Sequence, residues 1–176
     1  MTVTEPTVHI VDDDASFLTA TSRLLRASGF VVKTFGSASD FLTERAEDAP
    51  GCVLADMRMP GMNGLELQSA LARSSNPLPI LFLTGHGDIP SSVRAMRDGA
   101  EDFLEKRAPK AQLLEAVKRA LARDARERDA RNRLRELRAR LSRSDHYGLP
   151  LRQERFRQGG SRRDQQRQGE YQRRNR

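Results

Sequence analysis

The chain has 176 residues and a net charge of +7, and the charge is unevenly placed: residues 1–109 are net −5, whereas 110–141 and 142–176 are each net +6. The first two thirds therefore form a mildly acidic body large enough to bury a core, and the basic balance belongs to the C-terminal third. The single cysteine, Cys52, excludes an intramolecular disulfide and a thiolate zinc cluster, and no apolar run reaches the roughly 18 residues of a membrane span. The opening MTVTEPT has neither the basic nor the apolar region of a secretory signal, so a cytoplasmic location is expected.

The acidic body alternates in period. TVHIV (7–11), FVVKTF (30–35), CVLA (52–55), PILFL (79–83) and DFLEK (102–106) are short apolar or β-branched runs that predict strands. Between them, apolar residues recur at helical spacing. Asp14 or Ser16 can cap a first helix carrying Phe17, Leu18, Leu24 and Leu25, which Gly29 ends. Ser37 precedes a second with Phe41 and Leu42, and Asn63 a third with Leu65, Leu67 and Leu71. A fourth, containing Val93 and Met96, stops at Gly99, and a fifth starts near Pro109 and runs through Leu113, Leu114, Val117 and Leu121. Five strands alternating with five helices through short connections predict a doubly wound parallel α/β sheet covered on both faces.

In such sheets functional groups gather beyond the carboxyl ends of the strands. Strand one is followed by Asp12, Asp13 and Asp14, strand three by Asp56, strand four by Thr84 and strand five by Lys106. Crowded carboxylates repel one another unless a cation neutralises them, and a carboxylate set without Cys or an obvious His ligand favours Mg2+. With a lysine and a hydroxyl nearby, the set suits a phosphoryl group carried on a carboxylate, and Asp56, alone at its strand end, is the expected nucleophile. His9 is expected to pack within its strand and His86 to line the mouth of the site. Cys52 is expected to be a buried structural residue.

HIVDDD, VLADMRMPGMNGLEL and ILFLTGHGDIPSSVRAMRDGAEDFLEK together resemble the receiver domain of bacterial two-component response regulators. The variety they resemble is the one that usually carries a LuxR-type DNA-binding domain, as in FixJ-like proteins. The resemblance covers residues 7 to about 121 and implies a flavodoxin-like (βα)5 fold with strand order 2-1-3-4-5. By it, Asp56 accepts phosphate from the histidine of a sensor kinase. Asp13, Asp56 and the main-chain carbonyl of Arg58 bind Mg2+, for which Mn2+ can substitute, and Asp12 acts on the metal through water. Thr84 and Lys106 contact the phosphoryl oxygens, and Phe103 is the aromatic switch that alters the face of helix four, strand five and helix five. Homodimerisation on phosphorylation is a further implication, and turnover is limited to self-catalysed phosphorylation and dephosphorylation. One position departs from the family: Arg107 stands where Pro usually follows the lysine through a cis bond. A cis bond before a non-proline residue costs about 2.5–4 kcal/mol, so a trans peptide and a differently aimed Lys106 are expected.

The expected domains are a receiver over 1–121, an exposed helical linker over 122–141 extending helix five, and a disordered Arg/Gln-rich tail over 142–176. Residues 110–141 hold no Pro or Gly and are dense in Ala, Leu, Arg and Glu, which favours helix, with i,i+4 pairs such as Glu127–Arg131. Leu134, Leu137 and Leu141 offer an end that can pair across a dimer. The tail has too few apolar groups for a helix-turn-helix core, so specific DNA binding is not expected of this chain. Its composition also fits a GC-rich gene read out of frame. Two other readings compete: nonspecific nucleic-acid binding through the basic helix and tail, and an aspartate-nucleophile phosphohydrolase. Arg58, two places after Asp56, stands against the second, which expects an acid there.

Overall fold

The computed structural model describes residues 4–85 and 89–144. Five strands, β1 (Thr7–Val11), β2 (Val31–Phe35), β3 (Gly51–Asp56), β4 (Ile80–Thr84) and β5 (Asp102–Glu105), alternate with five helices. The helices are α1 (Ala15–Ala27), α2 (Ala38–Glu44), α3 (Gly64–Ala72), α4 (Ile89–Arg97) and α5 (Lys110–Ser144). All strand pairings are parallel, in the order β2-β1-β3-β4-β5, the flavodoxin-like order that the resemblance implies.

Strand alternation divides the core into two layers. On one face Val53 and Ala55 of β3 join Val11, Ile80 and Phe82 beneath Phe41 of α2 and Leu67 and Leu71 of α3. On the other, Cys52 and Leu54 join Val8, Ile10 and Leu81 beneath Leu25 of α1 and Leu113 and Val117 of α5. Every residue of β3 is buried, as a central strand covered on both sides requires. Cys52 is a free, fully buried thiol whose pKa burial pushes up, which makes it a packing residue.

Local signals set the helix boundaries. The Asp14 carboxylate accepts from the amides of Ser16 and Phe17, and Ser37 Oγ accepts from Asp40. Asn63 and Glu66 form a reciprocal capping box at the start of α3. At the end of α4, Ala100 N–H bonds Ala95 O and Gly99 N–H bonds Met96 O, closing the helix.

Helix α4 lies in the span expected of it, whereas the stretch after Leu121 departs from expectation. Val93 and Met96, which marked α4 in the sequence, lie on its outer side at 45% and 46% exposure, and Ala95 is the residue that seats the helix. Close approach of α4 to the sheet is made by a methyl group, leaving its larger apolar residues outside. The correction concerns the stretch after Leu121, which is not uniformly an exposed linker. Asp124 is buried, and Arg123, Glu127, Arg128 and Arg131 are half-buried; residues 132–143 are exposed. Glu127 accepts a 2.7 Å hydrogen bond from Arg123, and Arg131 donates to Asn76, so these replace the anticipated Glu127–Arg131 pair. Expectations for the tail beyond Ser144, and for His86, lie outside the described residues.

Candidate functional site

The carboxyl ends of β1, β3, β4 and β5 lie side by side in register, which brings together residues far apart in the chain. Parallel pairing sets Val11 beside Ala55, Asp56 beside Leu83, and Thr84 beside Glu105, so the residues at or just after each strand end share one edge. Asp12 extends this edge, its amide donating to Phe35 O. Asp12 is buried, Asp13 exposed and Asp56 9% exposed. One carboxylate oxygen from each of the three lies within 4.8 Å of the others.

Lys106 completes the cluster. Its Nζ is 2.6 Å from Asp12 Oδ2 and 3.5 Å from Asp56 Oδ2, and its ammonium also sits 4.4 Å from the centre of the Phe17 ring. The expected misdirection of Lys106 is therefore not found. The described residues contain no cis peptide, yet the lysine reaches both acids. The cause is local: Lys106 N–H donates to Thr84 O at 2.8 Å and Ala108 N–H closes a turn on Glu105 O, so the β4 pairing fixes where the lysine departs whatever residue follows it. Arg107, the residue that departs from the family, points to solvent and is exposed.

The electrostatics are asymmetric. Burial raises the Asp56 pKa, and repulsion from Asp12 raises it further, against the opposing pull of Lys106 and of a hydrogen bond from the Arg58 backbone amide. Burial alone would lower Lys106, but its hydrogen bond and charge attraction with Asp12 outweigh that and leave its pKa raised. The ammonium thus chiefly neutralises Asp12, and Asp56 keeps an unbalanced carboxylate beside it.

The loop after β3 holds Asp56 tightly from behind. Met57 and Met59 are buried among the core residues below α3, and Gly64 N–H returns to Met57 O at 3.0 Å. A Cβ on Gly64 would lie 2.7 Å from the Asp56 carbonyl oxygen and 2.8 Å from the Phe82 ring, so the loop closes against β3 only with glycine there. Outside, the loop borders an open groove of about 480 Å³ lined by Met57, Arg58, Met59, Asn63, Leu65 and Ser91.

Thr84, at the end of β4, is 2% exposed. Phe103 is half-buried, packs against the core and stands 6.2 Å from Phe82 between ring centres. His9 is buried between Phe35 and Phe41, with Nδ1 3.2 Å from Cys52 O, and so belongs to the core.

The donor set suits a hard divalent cation. Three carboxylate oxygens within 4.8 Å can share an ion that takes oxygen ligands at about 2.0–2.1 Å. The buried Asp12 Oδ2 is already engaged by the Lys106 ammonium at 2.6 Å, which fits the role of an acid that reaches an ion through water rather than directly.

A parallel five-stranded sheet of order 2-1-3-4-5 with three clustered aspartates and a lysine at its carboxyl edge defines a receiver-type α/β domain. Residues 8–118 match the family model of the response regulator receiver domain, and the chain belongs to that family. It is 42% identical over 136 residues to nodulation protein W of Bradyrhizobium diazoefficiens, covering 77% of this chain and 60% of that protein. Over 130 residues it is 42% identical to the response regulator protein TodT of Pseudomonas putida, covering 74% of this chain and 57% of that one. The structure of the response regulator StyR superposes with a TM-score of 0.73 at 47% identity, covering 78% of this chain and 70% of StyR. The chain thus spans about three fifths of the length of the curated relatives it matches.

Proposed function

We propose that this chain is a phosphoaccepting receiver of a two-component system, with Asp56 as the acceptor and a histidine kinase as donor. The observation that carries the reading is the convergence of Asp12, Asp13, Asp56 and Lys106, from three different strand ends, on one accessible edge. An Asp56 oxygen attacks the phosphorus of a phosphohistidine, forming a P–O bond as the P–N bond breaks and the imidazole departs with a proton. Hydrolysis of the resulting acyl phosphate returns the carboxylate and releases inorganic phosphate. The chain is accordingly a signalling acceptor, with no substrate turnover beyond this cycle.

Asp13, Asp56 and the Arg58 carbonyl would hold Mg2+, with Asp12 reaching it through water. When bound, the ion supplies positive charge that offsets carboxylate and phosphoryl repulsion. Lys106, 3.5 Å from Asp56, would supply a second positive charge, and the Thr84 hydroxyl would orient a phosphoryl oxygen. Movement of Thr84 toward the new group makes room for Phe103 to turn further inward and changes the face of α4, β5 and α5, a local charge change biasing a two-state element. That face is the proposed surface for homodimerisation.

The test is incubation of the intact protein with Mg2+ and acetyl phosphate, followed by intact-mass measurement. The native chain should gain one phosphoryl group and Asp56→Asn none; equal labelling of the two defeats the assignment.

A further inference from the structure

At the opposite end of β3 from Asp56 lies a polar cluster that the receiver chemistry does not use. Asp124 is 1% exposed, and its Oδ2 accepts a 2.9 Å hydrogen bond from the amide of Gly51, the first residue of β3. One turn on, Arg128 donates to two successive carbonyls, Asp48 O at 2.8 Å and Ala49 O at 2.9 Å. It also donates to Asn76 Oδ1 at 3.1 Å, and its guanidinium lies 3.4 Å from Asp124. Asn76, 3% exposed, donates in turn to Ala49 O, and Arg131 adds a contact to its Oδ1.

The cluster is built around a backbone that tolerates nothing else. A Cβ on Gly51 would fall 2.1 Å from Thr7 O, so β1 and β3 approach here to the limit set by glycine. The Gly51 amide at this close approach donates to the buried Asp124 carboxylate. A buried amide or carboxylate left without that partner would carry a desolvation penalty.

A second strap grips an adjoining face of the same helix. Arg123 donates to Gly99 O at 3.0 Å, Glu101 at 3.3 Å and Glu127 at 2.7 Å, while Arg119 is 2.6 Å from Asp102. Residues 122–133 include no large apolar side chain, so packing cannot hold this part of α5. Two polar straps on different faces fix both the rotation and the axial position of a helix. A single exposed ion pair would fix neither.

We propose that Asp124, Arg128 and Asn76 are positioning residues that seat the exit helix, so that residues 124–136 leave the receiver as a rigid arm. The significance of the arm as the route by which the receiver's state is conveyed rests on the phosphoacceptor reading above; its rigidity does not. A rigid exit preserves any rotation of α5 over its length, whereas a hinge at residue 121 would lose it.

The test uses the full chain with spin labels on the exposed positions Ser69 and Arg135 (S69C and R135C), Cys52 being buried, and reads the inter-label distance distribution. A narrow distribution is expected. Arg128→Gln and Asn76→Ala should each broaden it about twofold or more, while helix content and acetyl-phosphate labelling of Asp56 stay native. Arg126→Ala, on the exposed side, should leave it unchanged. A distribution already broad in the unmodified pair, or one that stays narrow in both variants, overturns the proposal. Should the two variants fail to fold, amide exchange in the unmodified protein decides: slow exchange of Gly51 and of α5 through Arg131 supports the seat, and fast exchange beginning after Leu121 overturns it. Failure of Asp56 labelling in every sample would count against the phosphoacceptor reading and leave the distance result standing.

Discussion

The Lys106 ammonium approaches Asp12 to 2.6 Å and thereby leaves Asp56, at 3.5 Å, as the less neutralised of the two acids it touches. Asp12 is buried and held by an amide hydrogen bond from Asp14, whereas Asp56 faces the edge. Charge balance is thus incomplete at the carboxylate assigned the chemistry, which favours a further cation there.

Replacing Lys106 by Met should therefore destabilise the protein at neutral pH by about 1–3 kcal/mol, since two neighbouring carboxylates lose their shared counter-charge. Mg2+ should recover part of that loss. Urea unfolding with and without the ion measures both effects.

Mg2+ should also raise the unfolding free energy of the native chain, by about 1.4 kcal/mol at tenfold its dissociation constant. Asp13→Asn and Asp56→Asn should each weaken this response. A shift equally large in both variants would place the ion elsewhere.

Gly64→Ala should impair both stability and phosphoacceptance. The added methyl must displace the Asp56 carbonyl or the Phe82 ring, and moving the former re-aims the acceptor. A loss of about 2–4 kcal/mol is expected, with slower labelling by acetyl phosphate even at temperatures where the variant remains folded.

His9 gives a pH dependence separate from the acidic edge. Burial lowers its pKa in the folded chain, opposed by the Cys52 carbonyl and reinforced by Lys33 and Arg45. The unfolded chain then binds a proton more readily than the folded one, so this contribution is intact above about pH 6.5 and is lost as pH falls below it. Unfolding followed between pH 7.5 and 5 should show the decline, and His9→Phe should flatten it. An unchanged slope in that variant would remove His9 as its source.

The fold was legible because its signals are local. Alternating apolar runs marked the five strands, and Asp14, Ser37 and Asn63 cap the helices they precede. The edge cluster was legible for a related reason: in a parallel sheet, the residue after each strand has a known destination. The seat of the exit helix left no comparable trace. Asp124 bonds an amide 73 positions away and Arg128 a carbonyl 80 positions away, and main-chain groups carry no residue identity to read. In the sequence both residues look like ordinary members of a charged helix. The outward side of α4 was not legible, because large apolar residues signal helical periodicity without saying which neighbour leaves room for them.

The family match ends at residue 118, before the first residue that anchors the helix to β3. A fragment cut there, or a chimera joined at residue 121, would expose the Gly51 amide and two carbonyls at the base of the sheet while leaving every residue of the acidic edge in place. Such a fragment should still take phosphate but tolerate less heat, and a junction that keeps the anchoring contacts whole lies beyond Arg131.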